Sequence, residues 1–412
     1  MSTTWLDLPS HHSWLHREHL SLLDFGRRAV RPGGGASYLG DDGTPDHEQP
    51  LAPYHTARMV HVFGLGALAG VPGCRSKAVQ VMAALQPGGA LRDPEHPGWF
   101  HQGEPALDAS KHCYDHVHVL LGASTARLAA LPGADDLFAE AAALVGERFW
   151  DDERGLLRDE FDRAWTAPVD YLGANANMHG LEASLAAYDA SGDPGWLQRG
   201  RRIADFFMPA AERFGWRLPE HYHPDATIWD DFNIDRPDDQ FKPYGATIGH
   251  GLEWCRLLLH LEASLEAAGL PSDDLARAAQ GLFERAVADG WASDGADGFV
   301  YTTDFDGRPI IRTRLWWVVC EAVNAAACLY RRTGDQAYAD WYQLWWDYTA
   351  DHLLDRDLGG WHHELDPSNQ LSHSIWPGKP DLYHTTQTCL VPRLPLAPGM
   401  ARALREQGEA AS

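Results

Sequence analysis

The chain repeats, and the repeat limits what it can fold into. The tetrapeptide His-Gly-Leu-Glu occurs twice, at His179–Glu182 and at His250–Glu253, and each copy opens an apolar run with helical spacing. A glycine-centred turn recurs between such runs, in Pro97-Gly-Trp-Phe, Arg154-Gly-Leu-Leu, Phe214-Gly-Trp-Arg, Asp297-Gly-Phe-Val and Leu358-Gly-Gly-Trp. Its markers Gly98, Gly155, Gly215, Gly298 and Gly359 are spaced 57, 60, 83 and 61 residues apart. After each, the pattern predicts a short extended or hairpin-like stretch.

Amphipathic helices are predicted before most of these markers, over 134–149, 194–207, 272–288 and 336–354. Three of them follow a Gly-x-Asp or Gly-Asp signal, at Gly133, Gly192 and Gly334. Six other helices start polar and then turn apolar, near Arg58, Tyr114, His179, His250, Trp317 and His384, at steps of 56, 65, 71, 67 and 67. The two sets alternate. Six such pairs predict an all-α fold, an (α/α)6 barrel of six inner and six outer helices, formed by the chain 1–412 as a single catalytic domain. An open superhelix is the structural alternative, but it would want distinct polar caps at both ends, and the sequence shows none. The step of 83 carries about twenty extra residues, at 221–244, where an insertion on the binding face of a repeat fold is expected to form a rim or lid.

A formal charge of −24 with no basic stripe argues against a nucleic-acid partner. Met1–Pro9 is polar and mixed, and no apolar run approaches a membrane span. The six cysteines are scattered, with no C-x-x-C pair. The expectation is a cytoplasmic protein with reduced thiols and no membrane partner. Whether it is a monomer or a homo-oligomer is not legible.

Polar residues gather where the inner helices begin. These are Tyr54 and Arg58; Tyr114, His116 and His118; Asn175, Asn177, His179 and Glu182; His250 and Glu253; Trp317 and Glu321; and Asp381, Tyr383 and His384. In a toroid these starts converge on one cavity. Imidazoles, carboxylates, an arginine and aromatic planes suit a sugar, and histidine, with a pKa of about 6.5, suits proton transfer between neighbouring carbons. A glycosidase is the competing reading, with two acids drawn from Glu182, Glu253, Glu321 and Asp381. A carbohydrate-binding scaffold is a third, distinguished by a cavity without catalytic histidines. His-x-x-Glu could hold a metal, but di-iron bundles use the reverse order with further glutamates, so no metal and no cofactor are expected. His11, His12, His16 and His19 read as a solvated helix face.

Thr56-Ala-Arg58-Met-Val-His61, Asn175-Ala-Asn177-Met-His179, Gly249-His250-x-x-Glu253-Trp254 and Asp381-x-Tyr383-His384 resemble the N-acylglucosamine 2-epimerase superfamily. The likeness is closest to its aldose–ketose isomerase branch, which includes mannose and sulfoquinovose isomerases. It runs from Trp14 to about Pro398, through Asp294-Gly-Ala-Asp-Gly-Phe-Val-Tyr and Val391-Pro-Arg-Leu-Pro-Leu-Ala-Pro. The resemblance implies an (α/α)6 barrel and metal-independent interconversion of an aldose and a ketose such as mannose and fructose, with lyxose and xylulose as the pentose pair.

It also implies roles. His384 shuttles the proton between C1 and C2. His250 is the second acid–base group, oriented by Glu253. Arg58, Asn175 and His179 hold sugar oxygens, while Tyr54, Tyr114, Trp317 and Glu321 wall the pocket. Gln240-Phe-Lys lacks the arginine expected of a sulfonate binder, and Gly360-Trp-His-His-Glu departs from the aromatic–Gln pattern expected there, so both favour a neutral hexose. Epimerase branches share the two histidines, which leaves sugar 2-epimerisation as the alternative.

Overall fold

The computed structural model describes residues 4–410. Among these, thirteen α-helices follow one another: α1 Pro9–Gly26, α2 Pro53–Leu68, α3 Cys74–Met82, α4 Cys113–Leu128, α5 Ala134–Leu144, α6 Ala174–Ser191, α7 Pro194–Arg213, α8 Ile248–Ala267, α9 Leu275–Gly290, α10 Trp316–Thr333, α11 Gln336–His352, α12 Tyr383–Leu390 and α13 Met400–Ala410. Helices α2, α4, α6, α8, α10 and α12 form an inner ring in which each packs on the next and α12 returns to α2. The ring is therefore closed. Around it, α3, α5, α7, α9, α11 and α1 pack on α2, α4, α6, α8, α10 and α12 in turn.

The recurring signals have local causes. Gly192 and Gly334 take φ of +74° and +73° and end α6 and α10. The aspartate after each then caps the following outer helix, Asp193 accepting from Gly195 N at 2.9 Å and Asp335 from Ala337 N at 3.0 Å. All five marker glycines have positive φ, and at Gly98 and Gly298 an added Cβ would come within 2.6 Å of His116 Nε2 and the Tyr348 hydroxyl. The 194–207 helix runs on to Arg213. Pro209 forgoes one hydrogen bond, but burial of Phe207, Met208 and Ala211 holds the last turns.

Two-residue strands lead four inner helices. Lys111–His112, Leu172–Gly173, Ala246–Thr247 and Arg314–Leu315 pair antiparallel with Glu160–Phe161, His221–Tyr222, Thr302–Thr303 and Glu364–Leu365. These pairings bring the inner-helix N-termini to one end of the barrel. The opposite end is closed by α13, which packs on α2, α4 and α6. Its Ala401, Ala403 and Leu404 join Leu65, Leu128, Leu390 and Leu394 in an apolar plug.

One sequence expectation fails at the first helix. His11 and His19 are buried rather than solvated, because with Leu15 they lie four residues apart on the face of α1 that meets the core. His11 Nε2 meets the Tyr342 hydroxyl at 2.8 Å. Several other imidazoles are buried as well, among them His61, His116, His260 and His363. All six cysteines are buried and free, and among the described residues no helix is long and apolar enough to cross a membrane.

Candidate active site

At the hairpin end lies an outer funnel of about 540 Å³, which narrows to an inner chamber of about 40 Å³. Tyr114, Asn175, Gln240, Phe241, His250 and Trp376 line both. Phe241 comes from the 221–244 insertion, and its ring centroid lies 5.8, 5.9 and 5.5 Å from those of Tyr54, Tyr114 and Trp376. The insertion therefore does form the rim. The chamber opens into the funnel across these shared residues, so a sugar bound there would lie along both.

Arg58, Tyr114, Asn175, His179, His250, Glu253, Trp317 and His384, all expected in the site, line the chamber together with Asp381. Tyr54 lines the funnel instead, its hydroxyl bonded to that of Tyr38. Glu321 lies behind His384 rather than on the wall. Arg58 is held from both sides, donating to Asp381 Oδ2 at 2.7 Å and to the Tyr114 hydroxyl at 2.9 Å. Burial disfavours its charge, but Tyr114 and Asp381 outweigh that and raise its pKa. Burial likewise opposes the charge of Asp381, yet Arg58 and then His384 bring its carboxyl down to about 2.

The two histidines have matching seats. His250 Nδ1 lies 3.0 Å from Glu220 Oε1, and His384 Nδ1 lies 2.9 Å from Glu321 Oε1. A carboxylate only accepts, so in each neutral ring the proton sits on Nδ1 and the Nε2 lone pair is the one that can meet a sugar. The Trp317 ring contacts both imidazoles, with centroids 5.3 Å from His250 and 5.8 Å from His384. His179 Nδ1 meets Glu182 Oε2 at 3.2 Å, and burial, ahead of the opposing glutamate, lowers its pKa to about 4.

Glu253 does not orient His250, which corrects the sequence reading. One helical turn below, it accepts from Arg256 Nη2 at 3.1 Å, while His250, in the first turn of α8, reaches out to the rim. Burial first and Glu321 second push the Glu253 pKa well above the ordinary glutamate range. The true partner, Glu220, escaped the sequence reading. Its only signal was its position just before His221, at the start of the insertion.

Several polar atoms on chamber-lining residues are buried without a protein partner: Arg58 Nε, Asn175 Oδ1, Trp316 Nε1 and Trp376 Nε1. Buried polar groups are ordinarily satisfied, and a polyhydroxylated ligand would supply the missing partners. The four carboxylates weighed for a glycosidase are committed to arginines: Glu182, Glu253 and Glu321 converge on Arg256, and Asp381 pairs with Arg58, so these four offer no free acid–carboxylate pair.

A closed α/α barrel with two carboxylate-backed histidines and unpartnered buried polar atoms in one chamber defines a class of sugar-transforming enzymes. The family model for N-acylglucosamine 2-epimerase matches residues 34–388, and the chain belongs to that family. It is 46% identical to the D-mannose isomerase of Thermobifida fusca over 98% of this chain and 100% of that one. It is 41% identical to the D-mannose isomerase of Pseudomonas cannabina pv. alisalensis over 98% and 97%. A crystal structure of a D-mannose isomerase superposes with a TM-score of 0.84 at 27% identity, covering 92% of this chain and 97% of that one.

Proposed function

We propose that this chain is an aldose–ketose isomerase that interconverts mannose and fructose by moving a proton between C2 and C1. The supporting observation is the pair His250 and His384, each with Nδ1 committed to a carboxylate and both lining one chamber. In this reading the open-chain aldose lies against Trp317, and His384 Nε2 removes the C2 proton. The electron pair forms the C1–C2 double bond of a cis-enediolate as the aldehyde oxygen takes up charge. Arg58 and Asn175 hold the two oxygens, with His179 beside them. His384 then returns its proton to C1, while His250 moves the hydroxyl proton from O2 to O1, so every proton is accounted for.

Neither a metal nor a cofactor enters this scheme, and the whole ring acts as one catalytic domain. The six buried free cysteines suit a cytoplasmic location. Mannose deuterated at C2 tests the reading. Fructose carrying part of the label at C1 is the expected early product. Glucose with solvent hydrogen at C2, formed before fructose, would replace isomerisation by 2-epimerisation. Activity abolished by EDTA and restored by a divalent ion would overturn the metal-independent scheme.

A further inference from the structure

Below the chamber the inner ring stays charged. Arg256, on α8, is 2% exposed. Its Nε donates to Glu321 Oε2 at 2.7 Å, and its Nη2 donates to Glu253 Oε1 at 3.1 Å and lies 3.6 Å from Glu182 Oε1. These carboxylates come from three consecutive inner helices. Two of them back an imidazole: Glu321 behind His384 and Glu182 behind His179. The Tyr383 hydroxyl also donates to Glu182.

Several carboxylates in one dry pocket cannot stay ionised without a cation. Two triads here, His179 with Glu182 and Glu253, and Glu253 with Glu321 and His384, bring ligand-type atoms within 4.8 Å of one another, a spacing a divalent ion could use. The guanidinium bonds to the same carboxylates. Arginine suits the position because its charge is permanent and its planar fork meets more than one acceptor. Arg256 does not line the sugar chamber. It faces a separate cavity of about 60 Å³ at the barrel floor, beside Glu182 and His260.

We propose that Arg256 is a positioning residue of the reaction, its guanidinium acting as a built-in cation that fixes Glu321 and Glu182 behind His384 and His179. Without it the carboxylates compete for protons, Glu321 loses its anchor, and His384 loses the partner that fixes its tautomer and ring orientation. The inference rests on the isomerase reading above.

The test compares wild type, Arg256→Met and Arg256→Lys on mannose, with folding checked by circular dichroism. Arg256→Met should lower kcat about 10–100-fold, as loss of an outer partner typically does, and leave KM within about threefold. Arg256→Lys, which keeps the charge but not the fork, should fall between. A folded Arg256→Met with wild-type kcat overturns the inference, as does a rise in KM alone. Should Arg256→Met not fold, Arg256→Lys decides: a reduced kcat at unchanged KM supports the inference, and full activity overturns it. A wild-type enzyme inert on mannose would instead defeat the isomerase reading, which separates the two failures.

Discussion

His384 and His250 offer the same chemical group from seats of different construction. The support of His384 lies wholly inside the inner ring. Glu321 belongs to α10, and its second oxygen is bonded to Arg256. The support of His250 lies at the barrel mouth. Glu220 directly precedes His221, whose Nε2 meets Pro243 O at 2.8 Å and so ties the two ends of the rim together. One histidine is fixed from the core and the other from the barrel mouth, beside the rim segment. The difference suits a division of labour. A carbon-bound proton demands a base at an unvarying position, whereas hydroxyl protons tolerate a group whose placement follows the rim.

Removing the core-seated base should have the largest effect. His384→Ala should lower kcat at least about 10²-fold in a folded protein, since acid–base groups typically contribute roughly 10²–10⁴. His250→Ala should cost a comparable factor. Near-normal turnover in either variant, measured on mannose, would strike that histidine from the mechanism. Glu220→Gln comes next, with an expected loss of about tenfold in kcat, because the ring keeps a neighbour but loses its charged acceptor. An unchanged kcat would mean that the rim does not seat His250.

Shortening the insertion within 229–238 should alter the ratio of kcat/KM for mannose and lyxose more than it alters Tm. A large drop in Tm at a constant ratio would make the segment packing rather than a selector. The smallest effect is expected from Glu253→Gln, less than about tenfold in kcat. Burial and then Glu321 push its carboxyl toward the neutral form, and an amide is close to it in shape. A loss as large as that of either histidine would show that Glu253 carries charge or a proton during turnover.

What could be read in the sequence was whatever depends on neighbours along the chain. Gly192-Asp193 and Gly334-Asp335 announce themselves because one residue must take positive φ and the next must cap a helix. The predicted residues that converge on the chamber were legible because each lies at or near the start of an inner helix; Gln240, Phe241 and Trp376 come from loops and carried no such signal. Pairings across the ring were not. Glu220 lies 30 residues from His250, and nothing in periodicity marks it as the partner. Glu253, three residues away on the same helix, looked better placed, but a helix also turns its next layer toward the axis, where Arg256 was waiting. The N-terminal histidines misled for a related reason: α1 is an outer helix whose inward face could be known only once α12 had been placed against it.

The buried imidazoles carry a consequence for how the protein meets acid. Burial, the largest cause in every case, lowers the pKa of His11, His61, His116, His179 and His260 to about 4, and of His19 and His363 to about 3. In the unfolded chain each would titrate near 6.5. Between those values the unfolded chain binds more protons than the native one, so stability rises with pH across that window and is lost as pH falls through it. Acid thus works on this barrel as a denaturant with several coupled binding sites, all of them in the unfolded state. Tm followed from pH 7 to pH 4 should drop steeply once below about 6.5, and more gently in His19→Leu, which removes one of those sites. A Tm flat across that range would mean that the native core takes up the protons after all.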